Sequence, residues 1–535
     1  MKTSIITAVW ALARLVSSHK FGHIGLPLKN ARISQRSDTS FTADNSTGWG
    51  FFTQLLDHDN PTKGTFQQKF WWNTEFWAGP GSPIIFFTPG EVAAGQYFPG
   101  YNWLSNNTIN GIYAEAVKGA VVMIEHRYYG ESSPYETLNA ETLQYLTLHQ
   151  TILDFTNFAN NVVLPFDLTA GSSNAGKAPW IFPGCSYSGA LSAWTEKLVP
   201  GTFWAHHATS APVEAIYDWW QYFTPILENL PKNCSNDIST VIEHMDHVFL
   251  HGKESEKVAL KARFGLESLH NDDVMFQLSN TLSDSWQYHS FVEDGFYQKI
   301  FRLCDTIENV EAGAAVTPDA NGVGLDKALA GYAKWINETY IPGFCQKQGY
   351  TDERETKCMD THDPTSRIFT DSTVHNPFMR QYQWLLCNEV GWWQTGAPKG
   401  QKTVSSRLLT AEYFQQQCSL LFPTVNGFPV GSGRSPQTNI DRTNKLTEGW
   451  ARKNATRVIT TSGEFDSWIN AGMSSRYKPG GPFAGTPDAP VHIIPGGTHC
   501  NDYFRYVGFS NSGVQAVIDA NVAQMVQWVS EFPKH

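Results

Sequence analysis

Three short segments carry a serine, an aspartate and a histidine of the kinds that nucleophilic acyl transfer requires. Gly184-Cys185-Ser186-Tyr187-Ser188-Gly189 follows the apolar run Ala178-Pro179-Trp180-Ile181-Phe182 and precedes a helix expected over 190–198. A serine at the apex of such a strand–turn–helix is held in a strained backbone with its hydroxyl exposed, and its neighbours must be small. A neutral serine is a weak nucleophile and needs a base within hydrogen-bond reach. Histidine suits that task because its pKa lies near working pH, and a carboxylate then fixes its tautomer. Gly463-Glu464-Phe465-Asp466-Ser467-Trp468 and Gly496-Gly497-Thr498-His499-Cys500 each follow an expected strand and supply those two groups. Ser186, Asp466 and His499 are therefore the candidate nucleophile, orienting acid and base. His126, His206 and His207 compete with His499 and are read as structural.

The order Ser, Asp, His is the α/β-hydrolase order, not that of chymotrypsin or subtilisin. The turn departs from Gly-x-Ser-x-Gly because Ser188 stands where the last glycine belongs. Ser188 could itself be the nucleophile in a shifted register, but it lacks glycine two residues earlier. Pro183 removes a ladder donor from an expected central strand, which suits a position at the strand's end. For an oxyanion hole, the Tyr187 N–H is one donor by geometry. Thr88-Pro89-Gly90-Glu91, after an earlier strand, is placed to give the second through Gly90 or Glu91, although Pro-Gly reads equally well as a plain turn.

The surrounding elements must hold these segments together. Pro83-Ile84-Ile85-Phe86-Phe87 and Ala120-Val121-Val122-Met123-Ile124 are continuous apolar runs suited to parallel strands buried on both faces. Leu148, Ile152 and Phe155 recur at helical spacing between Glu141 and Phe158. Val458-Ile459-Thr460-Thr461 and Val491-His492-Ile493-Ile494 read as strands, and 514–532 as a closing helix. The middle of the chain has helical periodicity, clustered cysteines and few strand-like runs. The expectation is an α/β fold: an α/β-hydrolase domain from 45–212 and 435–535, interrupted by a mainly helical cap over 213–434.

Composition narrows the class. The 535 residues are 41% hydrophobic and 17% charged, as in a globular protein, and the net charge of -11 argues against a nucleic-acid partner. Residues 1–18 read as a secretory signal, with Lys2, an apolar stretch and Val16-Ser17-Ser18. Residues 19–44 read as a propeptide or a disordered arm. No later run of about 18 apolar residues suggests a membrane span. Sequons at Asn45, Asn106, Asn233, Asn337 and Asn454 and eight cysteines fit an oxidising, secretory route. Cys234, Cys304, Cys345, Cys358, Cys387 and Cys418 cluster in the middle, and six cysteines allow about 15 connectivities. The preferred pairing is Cys234–Cys304, Cys345–Cys358 and Cys387–Cys418. Cys185 and Cys500, each beside a candidate triad residue, are expected to be unpaired. No His-Glu-x-x-His or paired Cys-x-x-Cys site occurs, so no metal or other cofactor is implied.

Gly-Cys-Ser-Tyr-Ser-Gly, Phe-Asp-Ser-Trp and Gly-Gly-Thr-His-Cys resemble the serine peptidase family of lysosomal Pro-Xaa carboxypeptidase and dipeptidyl peptidase II, and most of all its fungal acid prolyl endoproteases. The likeness extends through Gln54-Leu55-Leu56-Asp57-His58, through the run from Glu125 to Gly130, through the run from Leu138 to Leu146, and through the run from Thr209 to Asp218. It implies a capped α/β-hydrolase that cleaves after proline, with Ser186, Asp466 and His499 as its triad. It implies that Trp468 helps form the proline pocket and that Glu91 lies near the substrate's amino-terminal side. Glu389, Trp392 and Trp393 match a cap segment facing the cleft, although core packing is an equal reading for the two tryptophans. Three departures, Cys185, Ser188 and Ser467, bear on pocket shape and rate rather than on mechanism.

The expected activity is thus a secreted serine peptidase acting on proline-containing peptides or proteins, with endopeptidase action favoured by the fungal likeness. Exopeptidase action on the same site, as a carboxypeptidase or dipeptidyl peptidase, is one alternative. A carboxylesterase or lipase on the same fold is another, since fold does not dictate substrate. A vacuolar or lysosome-like compartment is the alternative location.

Overall fold

The two continuous apolar runs lie at the centre of one nine-stranded sheet in the computed structural model, which describes residues 40–41, 46–97, 101–169, 171–287, 298–309 and 318–533. Its strands are β1 (Ser40–Phe41), β2 (Thr47–Leu55), β3 (Thr65–Asn73), β4 (Ile84–Phe87), β5 (Ala120–Ile124), β6 (Trp180–Cys185), β7 (Ala205–Thr209), β10 (Val458–Gly463) and β11 (Val491–Ile494). They lie in the order β1-β2-β3-β5-β4-β6-β7-β10-β11. β1 and β3 are each antiparallel to β2 and β3 is antiparallel to β5, whereas all pairings from β5 to β11 are parallel. This is an α/β-hydrolase sheet.

Alternation along the central strands separates two cores. Ile84, Phe86, Val122, Ile124, Trp180 and Phe182 belong to one core, and Ile85, Phe87, Val121, Met123 and Ile181 to the other. Burial on both faces explains why these strands show no polar alternation. Helix α1 (Ile109–Val117) and the closing helix Ser512–Ser530 cover the second face, while α2 (Leu148–Asn161) and α3 (Tyr187–Leu198) cover the first. Helix α2 starts at Leu148, the first of its spaced apolar residues. The Thr147 side chain accepts from the Gln150 N–H and caps it there, and 142–145 form a separate 3-10 turn. Behind α2, the buried Arg127 guanidinium forks onto Asp154 at 2.6 and 2.7 Å, tying the segment after β5 to the helix.

Pro183 lies inside β6 rather than at its end. Pairing with β4 stops at Ile181, so Pro183 sits where only the β7 side is laddered, opposite His207. A proline is tolerated on such a half-paired stretch.

Between β7 and β10 the chain is mainly helical, including α4 (Lys232–His251), α5 (Asn271–Gln287), α6 (Lys299–Glu308), α7 (Leu325–Trp335) and α8 (Ala411–Leu421). Among the described residues its only strands are β8 (Ile216–Asp218) and β9 (Gly391–Trp393), which pair with each other. Three disulfides staple the segment: Cys234–Cys304, Cys345–Cys358 and Cys387–Cys418, the pairing preferred from the sequence.

The expected signal at 1–18 lies outside the described residues, as does most of the 19–44 arm. The exception is Ser40–Phe41, which pairs with β2 rather than forming a disordered arm. Among the sequons, Asn45 lies outside the described residues and Asn454 is exposed. Asn106, Asn233 and Asn337 donate their amides to Glu115, Glu308 and the carbonyls of Arg263 and Ala333. Among the described residues no helix is long and apolar enough to cross a membrane.

Candidate active site

Parallel strands β6, β7, β10 and β11 end on the same edge of the sheet, where open α/β sheets place their reactive groups. Ser186 immediately follows β6 with φ 58° and ψ −129°, a conformation costly for any residue with a side chain. Its N–H donates to the Thr209 carbonyl at 2.9 Å. The turn tolerates only small neighbours for a measurable reason. A Cβ on Gly184 would lie 2.3 Å from the Ser188 carbonyl oxygen, and one on Gly189 would lie 2.7 Å from that of Thr209.

Ser188 is compatible with this geometry because its hydroxyl has its own acceptor. The buried Oγ donates to the Thr88 carbonyl at 2.7 Å and so ties the turn to the loop after β4. An ideal Cβ on Gly90 in that loop would sit 3.3 Å from the Tyr187 ring and 3.5 Å from the Ser188 nitrogen. The structure therefore brings Gly90 and Tyr187 together.

Asp466 caps the 3-10 turn Ser467–Ala471 by accepting from the Trp468 N–H at 2.9 Å, and it is fully buried. His499 Nδ1 lies 3.0 and 3.2 Å from the two Asp466 carboxylate oxygens. Its Nε2 is buried and makes no hydrogen bond. Gly463, at the end of β10, admits the histidine loop, because a Cβ there would lie 2.3 Å from the Thr498 carbonyl oxygen.

Cys185 and Cys500 are bonded to each other, contrary to the expectation that they are unpaired. They are 315 residues apart, and their Cα atoms come within 6.0 Å where the end of β6 and the loop after β11 meet across the intervening strands. Nothing in either local sequence reports that approach.

The competing histidines occupy buried positions. His126 bonds the Tyr187 hydroxyl at 3.2 Å, and burial lowers its pKa to about 4. His206 is lowered to about 3 by burial. His207 bonds the Tyr113 hydroxyl and the Thr461 and Thr209 hydroxyls.

Trp468 stands beside His499, with ring centroids 6.0 Å apart. Trp219, Tyr222 and Trp392 enclose it at 4.9, 5.7 and 5.8 Å. Its indole N–H donates to Gln287 at the end of α5. Trp219, Tyr222 and Gln287 escaped the sequence reading, although the run Trp219-Trp220-Gln221-Tyr222-Phe223 is conspicuously aromatic. Trp393 is not brought to this cluster. It is the next residue along β9, so it faces the other way and stacks on Phe414 with an interplanar angle of 1°.

Glu91 and Glu389 both lie near Tyr187, the residue after Ser186. Burial raises the Glu91 carboxyl to about 7, partly offset by its own backbone N–H and by His499. Glu389 accepts from the Leu148 N–H at the start of α2, and burial likewise raises it to about 7. Glu125, which accepts from Ala94 N–H and the Ser132 hydroxyl, is raised to about 7 for the same reason. A carboxyl raised in the folded state binds protons there that the unfolded chain has already lost. Its stabilising contribution is complete below the ordinary value of 4.5 and disappears as pH rises to about 7. Tm is accordingly expected to fall by about 5 °C or more between pH 4.5 and 7.5. Thermal unfolding of the wild type and of Glu389→Gln across that range checks this, with a shallower slope expected for the variant.

The model of the family described as serine carboxypeptidase S28 matches residues 54–515. Serine protease vicPa of Bipolaris victoriae (strain FI3) is 40% identical over 516 residues, covering 95% of this chain and 92% of that protein. Serine protease vicPb of the same fungus is 38% identical over 493 residues, covering 91% and 90%. A probable extracellular serine carboxypeptidase of Arthroderma benhamiae is 28% identical over 479 residues, covering 84% and 63%.

Proposed function

Because this chain belongs to the serine carboxypeptidase S28 family, we propose that it cleaves peptide bonds on the carboxyl side of proline through an acyl-enzyme on Ser186. The family makes it a serine-type peptidase. The observation that carries the finer reading is His499, held by buried Asp466 through Nδ1, with Nε2 uncommitted and Trp468 packed beside it.

In this reading the Asp466 carboxylate holds the proton on Nδ1, which leaves the Nε2 lone pair to take the Ser186 proton. The hydroxyl oxygen attacks the carbonyl carbon, and the oxyanion is received by the Tyr187 N–H and the Gly90–Glu91 backbone. Collapse of the tetrahedral intermediate breaks the C–N bond, and His499 returns the proton to the leaving amine. Water, deprotonated by the same histidine, then releases the acyl group. Trp468 with Trp219, Tyr222 and Trp392 forms a rigid aromatic wall. Proline is apolar and lacks an N–H, so such a wall selects it without needing hydrogen bonds.

The intervening helical segment acts as a cap over this edge of the sheet, and Trp392 and Glu389 are its contribution to the cleft. Trp393 serves its packing. Four disulfides, the extracellular name of a relative and the exposed sequon at Asn454 support a secreted glycoprotein. We favour cleavage inside chains. Digestion of one long peptide with several internal prolines, followed by mass spectrometry, is expected to release internal fragments ending in proline. Release of single terminal residues or of dipeptides alone would make the enzyme an exopeptidase. Turnover of short-chain esters without any peptide cleavage would overturn the proline reading.

A further inference from the structure

The sheet by itself does not bring Ser186 and His499 together. Ser186 follows β6 and His499 follows β11, with β7 and β10 between them. Three inter-strand intervals span roughly 14 Å, so the approach is made by the loops. The Cys185–Cys500 bridge crosses that gap, joining the residue before Ser186 to the residue after His499. A ring nitrogen of His499 and both sulfurs lie within 4.8 Å of one another.

The backbone on both sides of the bridge is strained. Ser186 has φ 58°, and Cys500 has φ 59°, the left-handed region that residues with side chains avoid. Such conformations persist only where surroundings over-determine them. On the histidine side those surroundings include the Cys500 N–H bond to Ser210 Oγ, at 2.9 Å, the Thr209 hydroxyl bond to Asp502, at 2.8 Å, the Thr498 N–H bond to Asn501, at 2.6 Å, and the His499 contact with Asp466. Ser210 is itself left-handed, with φ 48°. The bridge is the single covalent restraint among them. The other three disulfides lie wholly within 234–418.

We propose that Cys185–Cys500 is a positioning clamp for acyl transfer, and that opening it by a dithiol reductant switches the peptidase off. This rests on the acyl-enzyme reading above. One dithiol reduces the bridge: the S–S bond breaks, two electrons and two protons pass to the sulfurs as two thiols, and the reductant becomes a disulfide. Reoxidation reverses the step. With the bridge open, the loop carrying His499 relaxes away from its strained geometry, while the aromatic wall around Trp468 keeps its own contacts. Turnover should therefore suffer and substrate binding should not.

The test uses the full chain carrying Cys185→Ala and Cys500→Ala together. The expected result is a kcat lower by about ten- to a hundredfold, with KM within about threefold. The rate at which a fluorophosphonate labels Ser186 should fall in parallel. The control Cys345→Ala with Cys358→Ala removes a remote bridge and should retain full kcat. If the first variant fails to fold, wild-type enzyme is titrated with dithiothreitol and its freed thiols are mapped by alkylation and mass spectrometry. Activity should then fall with the opening of Cys185–Cys500 and return on reoxidation. A clamp-free variant with kcat within about twofold of wild type, or activity loss that follows another bridge, overturns the proposal. Absence of fluorophosphonate labelling in oxidised wild type instead removes the acyl-enzyme reading itself, a different failure.

Discussion

Ser186→Ala is expected to lower turnover of a proline-containing peptide by about four or more orders of magnitude without altering thermal stability. The strained turn is set by Gly184 and Gly189, whose Cα atoms face backbone carbonyls too close for any side chain, and not by the hydroxyl. The Ser186 N–H bond to Thr209 is also independent of the side chain. The variant should therefore keep the fold, the aromatic wall and the bound conformation of substrate, and lose only the nucleophile. Steady-state kinetics, mass spectrometry after fluorophosphonate treatment and a melting curve together check this. Near-normal cleavage would sink the assignment, and it would direct attention to Ser188. That hydroxyl is buried and already donates to the Thr88 carbonyl, which makes it a poor nucleophile.

Asp466→Asn should cost about four orders of magnitude in kcat, nearly as much, although it changes no atom positions in the fold. The carboxylate offers acceptors on both oxygens. Oδ1 receives the Trp468 N–H, and both oxygens lie within 3.2 Å of His499 Nδ1. An amide retains one acceptor, which the Trp468 N–H can keep. Its NH2 then meets the ring nitrogen, favouring the tautomer with the proton on Nε2. A histidine in that state cannot accept the Ser186 proton. Because Asp466 is fully buried, no water can restore the balance. Comparing kcat for Asp466→Asn and Asp466→Ala separates the tautomer effect from simple loss of the group. An asparagine variant within about tenfold of wild type would remove Asp466 from the mechanism.

Much of the site was legible because its parts are local. A strand, a tight turn and a helix in direct succession over 180–198 single out Ser186 as a candidate, and each candidate partner lies in a short loop directly after a strand. Ser188 looked like a flaw in the motif. The structure gives it a purpose, since its hydroxyl joins the serine turn to the loop carrying Gly90. The middle cysteines paired as neighbours in sequence suggest, over separations of 70, 13 and 31 residues. Trp392 and Trp393 could not be separated by composition. Strand alternation in β9 decides between them, turning the first to Trp468 and the second to Phe414.

The sequence by itself determined the serine peptidase family, two continuously apolar central strands and a helical interruption rich in cysteine, and it offered a candidate serine, acid and base in hydrolase order. Those features rest on local sterics and on burial, which act over a few residues. The tertiary structure alone decided how those pieces meet. It brought the end of β6 and the loop after β11 together across β7 and β10, and so bonded Cys185 to Cys500 across 315 residues. It gathered Trp219, Tyr222 and Gln287 from separate elements around Trp468, and it buried Glu125 and half-buried Glu91 and Glu389 so that their protonation moves toward neutrality. Contacts and desolvation of this kind depend on distances between segments far apart in the chain, and no local pattern of residues encodes those distances.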